Sequence, residues 1–444
     1  MIDMASRQGE LQQLVEDLLK EAKHRGASAA EAAVSSDAGL SVTVRLGETE
    51  TIEHTRDNGL GVTVYFGKRK GSASTSDLSP QAIKETVEAA CNFARYTSED
   101  PCSGLADEGL MATELPDLDL YHPWDQSVEQ AIDSATRCET AAREADSRII
   151  NSEGATLNSH DGLQVYGNSH GFIGGYPASR HSLSCSVVAK QNGSMQRDYW
   201  YTLARQGERL QSAEQVGEIA AQRTVARLNA RQVPTQQAPV LFQADVAVGL
   251  LRSFVGAIRG SALYRKASFL LDHLGKPVFP DFIGIHEEPR LPMGLASAAY
   301  DNEGVATTRR AFIGDGVLES YVLDSYSARK LGMQTTGNAG GVRNLRINSG
   351  ELDRDELLKT MGRGLIVTEL MGQGVNMVTG DYSRGAAGFW VENGEVQYPV
   401  EEITIAGNLR DMFLGLQEVG TDVETRSSIQ TGSWLIDRMM IAGE

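Results

Sequence analysis

Eight histidines and four cysteines are the residues of this chain best suited to hold a metal or relay a proton. A zinc site takes His, Cys, Asp or Glu side chains at ligand spacing. The histidines are His24, His54, His122, His160, His170, His181, His273 and His286, and no H-E-x-x-H run occurs among them. The nearest approach, His286-Glu287-Glu288-Pro289, is interrupted by proline and has no second histidine after it; it reads as a loop with chance acidity. His160, His170 and His181 are closer together, with Ser-His at 159–160 and again at 169–170. On adjacent strands they could converge, although the polar outward faces of a meander would look the same. For nucleophilic chemistry there is no G-x-S-x-G elbow. Ser383, in Asp381-Tyr382-Ser383-Arg384, stands between glycines and near charge but has no histidine downstream. Gly372-Gln-Gly374 lacks the third glycine of a dinucleotide fingerprint. Gly337-Asn338-Ala339-Gly340-Gly341 can make a nest of backbone N–H groups for an anion or a peptide carboxylate, or a plain turn. The inventory contains no evident catalytic constellation.

The elements that would position these residues are legible in part. An apolar stripe of Leu11, Leu14, Val15, Leu18, Leu19 and Ala22 predicts a helix over about 8–24. Strand patterns follow over 40–46, 50–55, 60–66 and 71–75, punctuated by Asn58-Gly59 and Gly67. Ser79-Pro80 opens a second helix, and the capping boxes Ser127–Gln130 and Ser212–Gln215 open two more, over about 127–146 and 212–229. Between these last two, residues 148–205 read as a meander with turns at Asp161-Gly162, Gly174-Gly175 and Asn192-Gly193. A polar stretch with two prolines, 232–239, marks a boundary. Beyond it come a strand at 240–242, a helix over about 244–258, and mostly strands and turns. Hairpins are predicted at Gly314-Asp315-Gly316 and Asn393-Gly394, and a short helix over 353–361. Six glycines between Gly372 and Gly394 imply bends, bulges or a close backbone approach. No tandem repeat is legible. The fold class is α+β in two domains. Residues 1–232 form an N-terminal mixed sheet with amphipathic helices, and residues 233–444 a glycine-rich, mostly antiparallel, curved or barrel-like sheet domain.

Composition narrows the function. The 444 residues carry a net charge of −18, with 41% hydrophobic and 23% charged residues, as in a soluble globular protein. An acidic chain attracts neither phosphate backbones nor anionic membranes, so nucleic-acid and membrane partners are not expected. No apolar run approaches a membrane span, and the N-terminus has no signal-peptide core. Cys91, Cys102, Cys138 and Cys185 lack CxxC spacing and read as reduced thiols of a cytoplasmic protein.

Long segments resemble the TldD/PmbA metallopeptidase family, most closely its PmbA (TldE) branch. They include residues 71–83, Tyr96-Thr-Ser98 with Asp100-Pro-Cys102, Tyr166-Gly-Asn-Ser-His-Gly171, and Tyr326-Ser-Ala-Arg-Lys-Leu-Gly332. Thr336 to Gly341, Thr368 to Pro399, and Glu402-Ile-Thr-Ile-Ala-Gly-Asn408 extend the match over nearly the whole chain. The resemblance implies one subunit of a heterodimeric zinc protease that acts on unfolded peptides and removes leaders from peptide precursors. The TldD-like partner would hold the zinc through H-E-x-x-x-H and a C-terminal cysteine. In this chain the two histidine positions fall on Arg252 and Ala257 and the general-base position on Ser253, while the cysteine would fall near Gln430-Thr431. The implied chain therefore has no catalytic residue, metal ligand or cofactor of its own, with zinc expected in the partner subunit. Gly337, Asn338, Gly340, Gly341, Asp381, Tyr382, Ser383 and Arg384 are its candidate cavity-facing, substrate-binding residues. A homodimeric peptide-binding or regulatory module is the alternative. An independent hydrolase using Ser383 or the His160/His170/His181 group would have to be active in isolation.

Overall fold

The computed structural model describes residues 4–443. The first helix, α1 (Met4–His24), forms where expected, with Leu11, Val15, Leu18 and Ala22 fully buried on one face. Three strands follow, β1 (Ala29–Arg45), β2 (Glu48–Phe66) and β3 (Arg69–Thr75), then α2 (Pro80–Tyr96), whose Ser79 cap accepts from the Ala82 N–H. The pattern then repeats: α3 (Val128–Glu144), β4 (Ile149–Asn168), β5 (Ile173–Gln191), β6 (Ser194–Ala204) and α4 (Ala213–Ala226). Both predicted capping boxes, at Ser127 and Ser212, are formed. The six strands make one sheet in the order β3-β2-β1-β4-β5-β6, every pairing antiparallel. This narrows the expected mixed sheet to a uniform one: two hairpin-connected meanders meet at β1 and β4.

The chain therefore contains an αβββα unit twice, although no repeat is legible in its sequence. Each half keeps one glycine where a helix crosses close. A Cβ on Gly71 would lie 2.2 Å from the Ala90 carbonyl of α2, and one on Gly217 would lie 2.1 Å from the Cys138 carbonyl of α3. The strands also run longer than expected. β1 begins at Ala29, and Asn58-Gly59, Asp161-Gly162 and Gly174-Gly175 lie inside strands rather than at turns. These glycines make room instead of turning the chain: a Cβ on Gly162 would meet Asp37 Oδ1 at 2.7 Å, and one on Gly175 would meet Val165 Cγ2 at 2.6 Å. Only Asn192-Gly193 is a true turn, with φ of 51° and 88°.

After α4 the chain enters the second lobe through β7 (Gln236–Phe242) and α5 (Ala244–Ala257). β7 pairs in parallel with Gly364–Met371 and antiparallel with Trp434–Ala442. Asp381–Glu392 and Glu395–Asn408 extend the sheet. Glu395–Asn408 then pairs back onto Trp434–Ala442 at Thr404–Ala406, closing five strands into a barrel with Leu416–Val419 added outside. Alternate residues serve two cores. Val240, Phe242, Leu365 and Val367 join Leu251 and Phe254 of α5, while Leu241 and Ile366 pack under helix Arg354–Met361. Two of the dense glycines of this region are close-approach positions: a Cβ on Gly388 would lie 1.7 Å from the Ile366 carbonyl oxygen, and one on Gly374 would lie 1.5 Å from that of Ser383. The predicted hairpin turns form, with φ of 54° and 76° at Asn393-Gly394 and 47° and 75° at Asp315-Gly316. A smaller sheet of short strands between 285 and 430 completes the lobe. The lobes meet through Arg205, whose guanidinium donates to the Gly294 and Leu295 carbonyls, and through Tyr326, which donates to Asp100 at 2.7 Å.

Candidate functional site

Helix α5 sets the chemistry of one face. Leu250, Leu251, Phe254 and Ala257 are buried, which leaves Arg252 exposed and Ser253 half-exposed on the other side. The Ser253 hydroxyl donates back to the Gly249 carbonyl at 3.0 Å. Arg252 is a cation with no lone pair to offer, and Ala257, fully buried, has no side-chain donor atom at all. Near the chain's other end, Thr431 is also fully buried: its hydroxyl donates to the Gly432 carbonyl and accepts from Trp434 Nε1 at 2.6 Å. Among the described residues, no three His, Cys, Asp or Glu side chains are grouped as a metal site would require.

The loop at 337–341 needs its glycines, since Gly337, Gly340 and Gly341 have φ of 72°, 94° and 115°. Two buried carboxylates hold it. Glu287 accepts from Asn338 Nδ2 at 2.9 and 3.0 Å and from the Arg343 N–H at 2.9 Å, and Asp301 accepts from the Ala339 N–H at 2.9 Å. Glu287, expected as chance acidity, is thus the loop's anchor. Asn338 is buried and turned toward Glu287, and Ala339 is the loop residue that lines a cleft. The stretch 381–384 lies elsewhere, on a barrel strand. Tyr382 is buried edge-on against Phe242, while exposed Asp381 accepts from Thr379 and Asn408. Ser383 is exposed, and Arg384 lines a different cleft beside Arg252. The two stretches therefore serve separate clefts.

The cleft beside Ala339 has a volume of about 550 Å³ and runs between β1–β3 and the second lobe, with Tyr166, Tyr176 and Tyr300 in its wall. A neighbouring cleft of about 710 Å³ is bordered by Lys70, Asp100, Tyr326 and Lys330. Glu31 and Glu303 line both. Glu31 accepts from the hydroxyls of Tyr65 and Tyr166, each at 2.9 Å. Burial and the Glu31 charge push both phenols above their ordinary range. Glu303 accepts from the Ser325 N–H at 2.9 Å. Its burial, with Asp301 and Asp324 adding repulsion, pushes its carboxyl up to about 7. Among the described residues no Lys or Arg forms an ion pair with Glu31 or Glu303. A carboxyl half-protonated near neutrality can give or take a proton, and an unpaired carboxylate beside tyrosine rings suits a cationic group.

Comparison with known proteins places this architecture. The PmbA/TldA metallopeptidase C-terminal domain matches residues 235–443, the central domain 121–228, and domain 1 residues 30–94. The Escherichia coli O157:H7 protein named Metalloprotease PmbA is 57% identical, covering 94% of this chain and 92% of its own. This chain belongs to the PmbA/TldD metallopeptidase family. Within it, a Metalloprotease TldD homologue of Haemophilus influenzae is 21% identical, over 79% of this chain and 77% of its own. A solved structure of a proposed modulator of DNA gyrase from Bacteroides thetaiotaomicron superimposes with a TM-score of 0.93 at 28% identity, covering 98% and 99% of the two chains. TldE from Thermococcus kodakarensis shares the fold, with a TM-score of 0.85 at 21% identity, covering 97% and 100%. The domain 1 match covers β1–β3 and most of α2, and the central-domain match contains the whole second αβββα half.

The histidine group does not assemble in this PmbA-like chain. Register places Ser159 opposite His181, so these two share a face and His160 takes the other. His181 is fully buried, with Nδ1 3.0 Å from Ser159 Oγ and Nε2 2.9 Å from the His122 carbonyl. His160 faces Asp37 at 3.4 Å, and His170 reaches the Ala106 carbonyl at 3.1 Å. Sequence reasoning missed Glu31, Tyr65, Glu303 and Tyr300. Glu31 alone left a signal, as a charge within the alternating run Ala29–Val34, whose Ala30, Ala32 and Val34 are buried.

Proposed function

We propose that this chain is the PmbA/TldE-like accessory subunit of a cytoplasmic heterodimeric zinc metalloprotease. The complex acts on unfolded peptides and peptide precursors, and a TldD-like partner carrying H-E-x-x-x-H supplies the zinc. The observation that carries the reading is α5: the helix is present, but it bears Arg252, Ser253 and Ala257 where two histidines and a general base would stand. A guanidinium, a hydroxyl bonded to its own helix and a methyl group cannot activate a metal-bound water. The relatives' names support a proteolytic setting, and the occurrence of TldD homologues in the family supports the pairing. Four free cysteines fit a reducing compartment, and among the described residues no helix is long and apolar enough to cross a membrane.

The test mixes this chain with a TldD-like homologue and follows size-exclusion elution, zinc content and cleavage of an unfolded peptide. Co-elution, zinc that tracks the partner, and cleavage that needs both chains are expected. Separate elution with unchanged partner activity refutes the pairing. A self-dimer that binds peptide would then favour the homodimeric binding module.

A further inference from the structure

The chain is acidic, yet five arginines from four elements converge on one cleft of about 330 Å³ between the lobes. Arg197 comes from β6, Arg223 and Arg227 from α4, Arg252 from α5, and Arg384 from the barrel strand Asp381–Glu392. Clefts of this kind, at the junction of two lobes, are where ligands commonly bind. The carboxylates that face the same space are Asp198, Asp245 and Glu369. Five cations less three anions leaves the lining with a formal excess of two positive charges.

The acids are already engaged. Asp198 lies 3.4 Å from Arg223 and 3.6 Å from Arg227, Asp245 lies 3.6 Å from Arg223, and Glu369 pairs with Arg227. Arg197 leans outward to Glu153 at 3.3 Å. Arg252 and Arg384 have no carboxylate within ion-pair range among the described residues. Arg384 is half-buried, and its Nε is shut off from solvent with no acceptor. The Tyr382 hydroxyl, two residues along and therefore on the same strand face, is buried with the Arg384 guanidinium beside it. A half-buried guanidinium with no carboxylate in ion-pair range, in the same cleft as a second such arginine, suits an anionic group.

We propose that this cleft binds a carboxylate presented by an extended peptide, with Arg384 and Arg252 as its counter-ions. The fork of guanidinium N–H groups matches a carboxylate's two oxygens, and the acids that face the cleft are taken up by Arg223 and Arg227. The proposal rests on the peptide-handling reading only for the carrier of the carboxylate.

The experiment uses the isolated full-length chain and fluorescence anisotropy of a dye-labelled peptide of Ala, Gly and Ser. The peptide is prepared as the free C-terminal acid, as the amide, and as the amide with one internal Glu. Both carboxylate-bearing forms are expected to bind about tenfold or more tighter than the neutral amide, the scale of one charge-assisted hydrogen bond. Arg384→Gln and Arg252→Gln, with unchanged circular dichroism, are each expected to erase most of that preference. Equal binding of acid and amide by the parent chain overturns the proposal without recourse to any variant, as does a preference that survives both substitutions. Displacement by inorganic phosphate at concentrations where acetate has no effect overturns it in favour of a phosphate site. No step needs a TldD-like partner, so failure of subunit pairing leaves the result standing, and failure here leaves the pairing untouched.

Discussion

Replacing Glu303 by glutamine should change how stability depends on pH more than it changes stability itself. The carboxyl ordinarily titrates at 4.5 and is raised to about 7 in the fold, by burial first and then by Asp301 and Asp324. The native state therefore holds this proton more tightly than the unfolded chain. Between those two values the folded protein binds more protons, so stability falls as pH rises. The contribution is fully present below 4.5 and lost as pH passes through 7. At about 1.36 kcal/mol per tenfold change in proton affinity, the loss amounts to about 3 kcal/mol at alkaline pH. Glu303→Gln removes the titration. Relative to the parent, the variant should gain about 3 kcal/mol between pH 4.5 and 9, with the change spread over the interval from 4.5 to about 7 and centred midway between them. Urea unfolding followed by tryptophan fluorescence across that range measures it. Parent and variant curves that stay parallel at every pH, or a difference centred near 4.5, would refute the burial argument.

Other substitutions test the geometry. Gly388→Ala places a methyl group 1.7 Å from a backbone oxygen of the neighbouring strand; thermal unfolding should show a loss above about 3 kcal/mol. Gly9→Ala, in helix α1 with open space around it, should instead raise stability by up to about 1 kcal/mol in the same assay. Tyr166→Phe leaves Glu31 with Tyr65 as its remaining phenol donor and should reduce stability by about 1–3 kcal/mol. Adding Tyr65→Phe should cost more than the sum of the single changes, as a double-mutant cycle would show. Ser212→Ala breaks a capping box and should lower stability by about 1 kcal/mol, visible as a shift in the denaturation midpoint.

Local chemistry was readable along the chain wherever it acts over a few residues. A hydroxyl three residues before a glutamine opened α3 and α4, and an apolar stripe marked α1. Asn-Gly and Asp-Gly turned the chain at 192–193, 315–316 and 393–394. The same dipeptides misled at 58–59 and 161–162. There glycine answers to a side chain on a neighbouring strand, and that neighbour is more than a hundred residues away in the case of Asp37 and Gly162. The duplication was hidden for a related reason: each half needs only a pattern of burial and a few close-packed glycines, which many sequences satisfy.

The residues alone indicated an α+β chain with a curved or barrel-like, β-rich C-terminal half, and they put no metal-binding side chain at 252, 253 or 257. These are statements about residue type and short-range pattern, and they need no partner in space. Tertiary structure alone decided that Glu31 and Glu303 share a pair of clefts, that Glu287 anchors the loop at 337–341, and that Arg252 and Arg384 line one cleft. Charge, burial and hydrogen-bond supply at those sites depend on residues brought together from distant parts of the chain, so neither spacing nor composition encodes them.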